Sequence, residues 1–91
     1  MNAVDWQHQA FRDTVFFASV HGMPSGDELG LQHLMQMQIK SQSFTDSAKL
    51  GRWLGWAQAA VVAAHVGLTL DDMKDINRRC IEASITQEQT A

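Results

Sequence analysis

Apolar residues recur at three- and four-residue steps in four stretches, predicting helices over about 4–21, 26–42, 46–66 and 70–84 and an all-α bundle. In the first stretch Val4, Phe11, Val15 and Ala18 share one face, and Trp6, Ala10 and Phe17 widen it. Phe16 falls partly outside both stripes and reads either as an exposed interface aromatic or as the margin of a broad core face. In the second stretch Leu31, Leu34, Met35 and Ile39 form the apolar stripe, while Gln32, Gln36, Gln38, Lys40 and Gln42 form the wet face. Met35 and Met37 suit an adaptable binding surface, although core filling is the commoner role of a helical methionine.

The third stretch carries two series. Leu50, Trp53, Leu54, Ala57, Val61 and Ala64 mark a core face. Beside them Gly51, Gly55, Ala59 and Ala63 follow one another at four-residue steps, a small-residue ridge that lets another backbone approach closely. Each interior glycine costs a helix about 1 kcal/mol, so a tight crossing is expected there, within the chain or across a two-fold axis as a dimer interface. Gln58, inside the apolar run, needs a partner if buried and is a candidate for fixing that crossing or a dimer register. The last stretch buries Leu70, Met73, Ile76, Cys80 and Ile81, with Arg78 and Arg79 near its end. Residues 85–91 read as a frayed polar tail.

Local signals mark the boundaries. Gly22-Met23-Pro24-Ser25-Gly26 is the one Pro/Gly cluster, and Ser25-Gly26-Asp27-Glu28 reads as a capping box opening the second helix. Thr45 or Asp46 can cap the third. Gly67 stands where a left-handed residue closes it, and Thr69-Leu70-Asp71-Asp72 opens the fourth. The breaks are short, so successive helices should lie side by side.

With 91 residues, 45% of them hydrophobic, the chain makes a single domain whose thin stability margin favours a homodimer. A net charge of −3 with mixed signs argues against nucleic-acid and anionic-membrane partners. Met1-Asn2-Ala3-Val4-Asp5-Trp6 lacks the pattern of a secretory signal, which sets a cytoplasmic expectation. The Trp53 to Leu70 stretch, broken by Gln58, His65 and Thr69, falls short of a membrane span.

The chemistry-bearing residues point away from catalysis. Cys80 falls on the buried stripe and reads as an inert core thiol. His8, His21, His33 and His65 stand singly, without metal-ligand spacing. Asp71, Asp72 and Asp75 are acidity at a helix start, and the glycines form no phosphate loop, so neither a cofactor nor a metal is expected. Ala63, Gly67, Met73 and Ile76 reproduce helix-turn-helix spacing, making a DNA-binding regulator over residues 60–79 the alternative function. The three acids on its recognition helix oppose phosphate contact. Arg52 and Trp56 lie off the core stripe and are the leading candidates for partner recognition, joined by Phe16 and Met37. Core placement of both tryptophans is the competing reading.

Between Lys49 and Arg79 the strings Gly51-Arg52-Trp53-Leu54-Gly55-Trp56-Ala57-Gln58, Leu68-Thr69-Leu70-Asp71-Asp72-Met73 and Ile76-Asn77-Arg78 resemble the C-terminal half of small accessory proteins of tailed phages and prophages. The resemblance covers about a third of the chain. It implies a phage-encoded accessory protein expressed in a bacterial host and little about mechanism. By analogy of fold and origin with small, non-enzymatic, helical phage proteins, which commonly bind and block a host protein, including defence machinery such as CRISPR effector complexes, the leading expectation is a non-enzymatic, cytoplasmic protein-binding module.

Overall fold

The periodic stretches fold as α1 (Ala3–Val20), α2 (Leu31–Ser41), α3 (Ser47–Ala63) and α4 (Leu70–Thr90). The structure, a computed structural model, describes residues 3–27 and 29–90, with residues 87–90 described by backbone alone. Among the described residues there is no strand. The pair α1 and α3 forms the centre. Each touches the other three helices, whereas α2 and α4 flank the pair without meeting among the described residues.

The core follows from that placement. Ala10, Phe11 and Ala18 of α1 meet Leu50, Leu54, Ala57 and Val61 of α3, closed by Leu34 on one side and Met73, Ile76 and Cys80 on the other. Phe11 is fully buried, which contributes about 1.5–3 kcal/mol over an exposed ring. The outer helices bury narrower faces than their periodicity predicts. On α2, Leu34 and Ser41 are buried and Met37 is half-buried, while Met35 and Ile39 (62% exposed) turn outward. On α4, Leu70 and Ile81 are exposed and Ser84 joins Met73, Ile76 and Cys80 inside. A flanking helix with neighbours on one side covers a single narrow stripe, and apolar residues one step round it stay wet.

Three boundaries differ from expectation. The second helix begins at Leu31, not near residue 26, because Gly30 is its N-cap and the preceding segment folds back on itself. The Leu31 N–H donates to the Pro24 carbonyl at 2.8 Å, and the Asp27 carboxylate accepts from the Leu29 N–H at 2.9 Å. A Cβ on Gly30 would lie 2.7 Å from the Ser25 carbonyl carbon, so only glycine fits. The capping box expected from Ser25 to Glu28 lies partly outside the described residues, because Glu28 is not among them. The third helix stops at Ala63 rather than 66, and the left-handed residue after its cap is His65 (φ 55), followed by Gly67 (φ 88). The fourth continues past Ser84 to Thr90. Arg78 pairs with Asp75 and Glu82 in the turns before this stretch, and the Thr86 hydroxyl donates to the Glu82 carbonyl at 3.0 Å at its start.

Two caps form as expected. Asp46 accepts from the N–H groups of Ala48 and Lys49. Thr69 and Asp72 exchange a reciprocal box, the Asp72 carboxylate accepting from the Thr69 N–H at 2.8 Å and the Thr69 hydroxyl accepting from the Asp72 N–H at 3.2 Å. Those donors hold the Asp72 carboxyl below its ordinary range, the Thr69 backbone N–H most strongly.

Gln58 sets the rotation of α3. Its side chain is only 8% exposed, and its Nε2 donates to Asn77 Oδ1 at 2.8 Å and to the Thr14 hydroxyl at 3.2 Å. Asn77 Nδ2 returns a bond to Gln58 Oε1 at 3.2 Å, and the Thr14 hydroxyl passes its own proton to the Ala10 carbonyl at 2.8 Å. Three helices are thereby tied at one level, and Gln58 fixes a crossing within the chain.

The small-residue ridge does not make that crossing. Gly55, Ala59 and Ala63 are exposed, and Gly51 alone is half-buried, with the Gln7 amide nitrogen 3.1 Å from where a Cβ would stand. With Leu50, Leu54, Ala57, Gln58 and Val61 turned inward, the positions 55, 59 and 63 rotate away from α1 and α4.

Gly55→Ala places a methyl in open space within a helix and is expected to stabilise the isolated chain by about 0.5–1 kcal/mol. Gly30→Ala is expected to cost about 1–3 kcal/mol by overpacking. Gln58→Leu should cost about 1–3 kcal/mol by stranding Thr14 and Asn77. A Gln58/Asn77 double-mutant cycle should show a coupling of about 0.5–3 kcal/mol. Urea unfolding measures all four.

Candidate functional site

The antiparallel run of α2 and α3 leaves a groove of about 560 Å³ lined by His33, Gln36, Met37 and Lys40 on one side and Arg52, Trp53 and Trp56 on the other. Its direction follows from two ring contacts. Trp53 stands edge-to-face on Phe44, just beyond the end of α2, with centroids 4.7 Å apart. Trp56, one turn later in α3, meets His33 near the start of α2 at 5.6 Å. Lys49 closes the Phe44 end, its Nζ 4.2 Å from the ring centroid.

Three of the four residues expected to bind a partner, Arg52, Trp56 and Met37, therefore line one groove. Trp56 is 42% exposed, whereas Trp53 is partly buried against the core, so the two tryptophans take different roles. The fourth residue, Phe16, is 61% exposed on α1, edge-to-face with Phe17 at 5.6 Å, and is not among the groove residues. Gln58 is interior, and of the ridge Gly55, Ala59 and Ala63 stand on the outer surface.

Sequence reasoning missed His33 and Lys40 as groove residues. The signal was the spacing His33, Gln36/Met37, Lys40, which is one helical face over two turns, hidden behind the stronger apolar stripe drawn through Met35 and Ile39. The groove's electrostatics are one-sided. No Asp or Glu among the described residues lines it, and the side chains of Lys40 and Arg52 have neither an ion pair nor a hydrogen bond with a described residue. Arg78 and Arg79, by contrast, carry their own carboxylates.

A second cavity of about 500 Å³ lies beside α1 and α4, where Cys80 shares the lining with His8 and Arg12. Its chemistry is not that of an activated thiol. His8 Nε2 donates to the Phe44 carbonyl at 3.0 Å, and the Cys80 thiol donates to Asp13 Oδ2 at 3.4 Å. Burial, and then the Asp13 carboxylate, push the Cys80 pKa up to about 11, the opposite of what a nucleophile needs. Among the described residues no three His, Cys, Asp or Glu side chains gather as a metal site requires. No helix is long and apolar enough to cross a membrane among the described residues.

A thiol whose pKa rises on folding favours the native state while it stays protonated. The Cys80 contribution to stability is therefore complete below pH about 9 and is lost as pH climbs towards about 11. Denaturant titrations across that range should show stability falling with pH, and Cys80→Ala should flatten the slope. An unchanged slope in the variant contradicts the assignment.

Comparisons with protein-family models, curated proteins and solved structures find no match to this chain.

Proposed function

We propose that this protein is a non-enzymatic, phage-encoded binding module that attaches to a host bacterial protein in the cytoplasm and modulates it, with the α2–α3 groove as its contact surface. The observation that carries the reading is the convergence of Arg52, the exposed Trp56 and Met37 in one groove, where Arg52 and Lys40 have no side-chain partner among the described residues. Tryptophan and arginine dominate interface energetics because each covers a large area and keeps a polar donor free. The groove rests on two helices rather than on loops, so its side chains are held in place before a partner arrives. A defence assembly such as a CRISPR effector complex is the class of host target suggested by analogy with small, helical, non-enzymatic phage proteins. We further propose that a second copy packs along Gly55, Ala59 and Ala63, which would account for an exposed glycine inside a helix.

The DNA-binding alternative gains no support from the α3–α4 corner. Six residues separate Ala63 from Leu70, more than the three or four of a helix-turn-helix link, and Asp71 and Asp72 are exposed at the start of α4.

Affinity capture from bacterial lysate, read by mass spectrometry, tests the contact surface. A protein retained by the wild type should be lost with Arg52→Ala/Trp56→Ala and kept with Phe16→Ala. Equal retention by the wild type and the Arg52/Trp56 variant contradicts the groove. Light scattering should give twice the 10.1 kDa chain mass, and Ala59→Arg should return it to one. A wild-type mass of one chain contradicts the dimer.

A further inference from the structure

We propose that the α2–α3 groove recognises a short acidic peptide segment, seating an apolar or aromatic side chain at the His33/Trp56 end and carboxylates at the Lys40/Arg52 end. This rests on the groove being the protein-contact surface. The polarity of the groove follows from its register. Trp56 meets His33, so Arg52, one turn earlier in α3, and Lys40, two turns after His33 in α2, share the opposite end. Met37 lies between the two ends, and Trp53, packed on Phe44, supplies the apolar floor beside Arg52.

Charge complementarity chooses the partner. The chain carries −3 overall, yet this groove is lined by Lys40 and Arg52 with no carboxylate among the described residues. Neither cation has an ion pair with a described residue to surrender, so an incoming carboxylate meets a guanidinium fork and an ammonium that no described carboxylate occupies. The low-dielectric ring surfaces of Trp53 and Trp56 beside them strengthen that attraction. A nucleic acid strand fits less well. It needs a continuous cationic track along several phosphates, whereas the groove offers two cations on a net-acidic molecule. A short peptide needs no more than one or two carboxylates beside one anchor.

The test is selection of random short peptides displayed on a library against the intact chain, with Trp56→Ala and Arg52→Gln/Lys40→Gln panned in parallel. All three substituted positions are solvent-facing, and circular dichroism verifies that each variant is folded. Peptides held by the wild type should be enriched in Asp and Glu next to Leu, Phe or Trp. A synthetic copy should bind the double variant at least about tenfold more weakly and should weaken with added salt. Recovered peptides without acidic enrichment that are still lost on Trp56→Ala overturn the acidic chemistry while leaving the groove as the contact surface. Peptides indifferent to Trp56, Arg52 and Lys40 overturn the groove itself. No recovery above background, or displacement of the peptide by a single-stranded oligonucleotide at lower concentration, also overturns the proposal.

Discussion

The hydrogen-bonded amide pair of buried Gln58 and half-buried Asn77 is the constraint on which the surface depends. An α-helix in a bundle can rotate by a residue step and still bury apolar side chains, and α3 is apolar enough to permit more than one rotation. A carboxamide is less forgiving. Its two donors and its acceptor need partners when buried, and here Thr14 and Asn77 provide them from two different helices. Once Gln58 points at that junction, Trp56 and Arg52 must face the other way, towards α2 and solvent.

The same logic orders the rest of the bundle. Polar ties from α1 and from His21 just after it reach the start of α3 and the two connections that flank α3: Gln7 Nε2 donates to the Ser47 carbonyl at 3.1 Å, His8 to Phe44, and His21 Nδ1 to the Val66 carbonyl at 2.9 Å. The central helix thus anchors the ends of its neighbours by hydrogen bonds while apolar burial holds their middles. The α2 register follows from the Leu31 N–H bond to the Pro24 carbonyl at one end and the Phe44–Trp53 contact at the other.

Most of the helical content was legible in the chain, because three- and four-residue periodicity and the Asp46 and Thr69/Asp72 caps are local signals. The start of α2 was not. It depends on a close backbone approach at Gly30, a through-space contact that periodicity cannot register. The ridge of Gly55, Ala59 and Ala63 was legible as a pattern, yet its direction was set by Gln58, whose partners lie 44 and 19 residues away in sequence. Of the groove, Arg52, Trp56 and Met37 could be chosen as residues lying off a stripe or suited to a surface. Their meeting with His33 and Lys40 required the antiparallel register of two helices. Phe16 was correctly read as exposed in one of its two readings, but exposure alone does not place it in the groove.

The fold turns Trp56 outward into a groove lined by Lys40 and Arg52. Quenching of tryptophan emission tests it most directly, in a chain carrying Trp6→Phe and Trp53→Phe so that Trp56 is the sole emitter. Iodide, an anion drawn to Lys40 and Arg52, should quench Trp56 more strongly than caesium, and the difference should shrink as neutral salt screens the groove. Equal quenching by both ions, or shielding from both, would contradict the account.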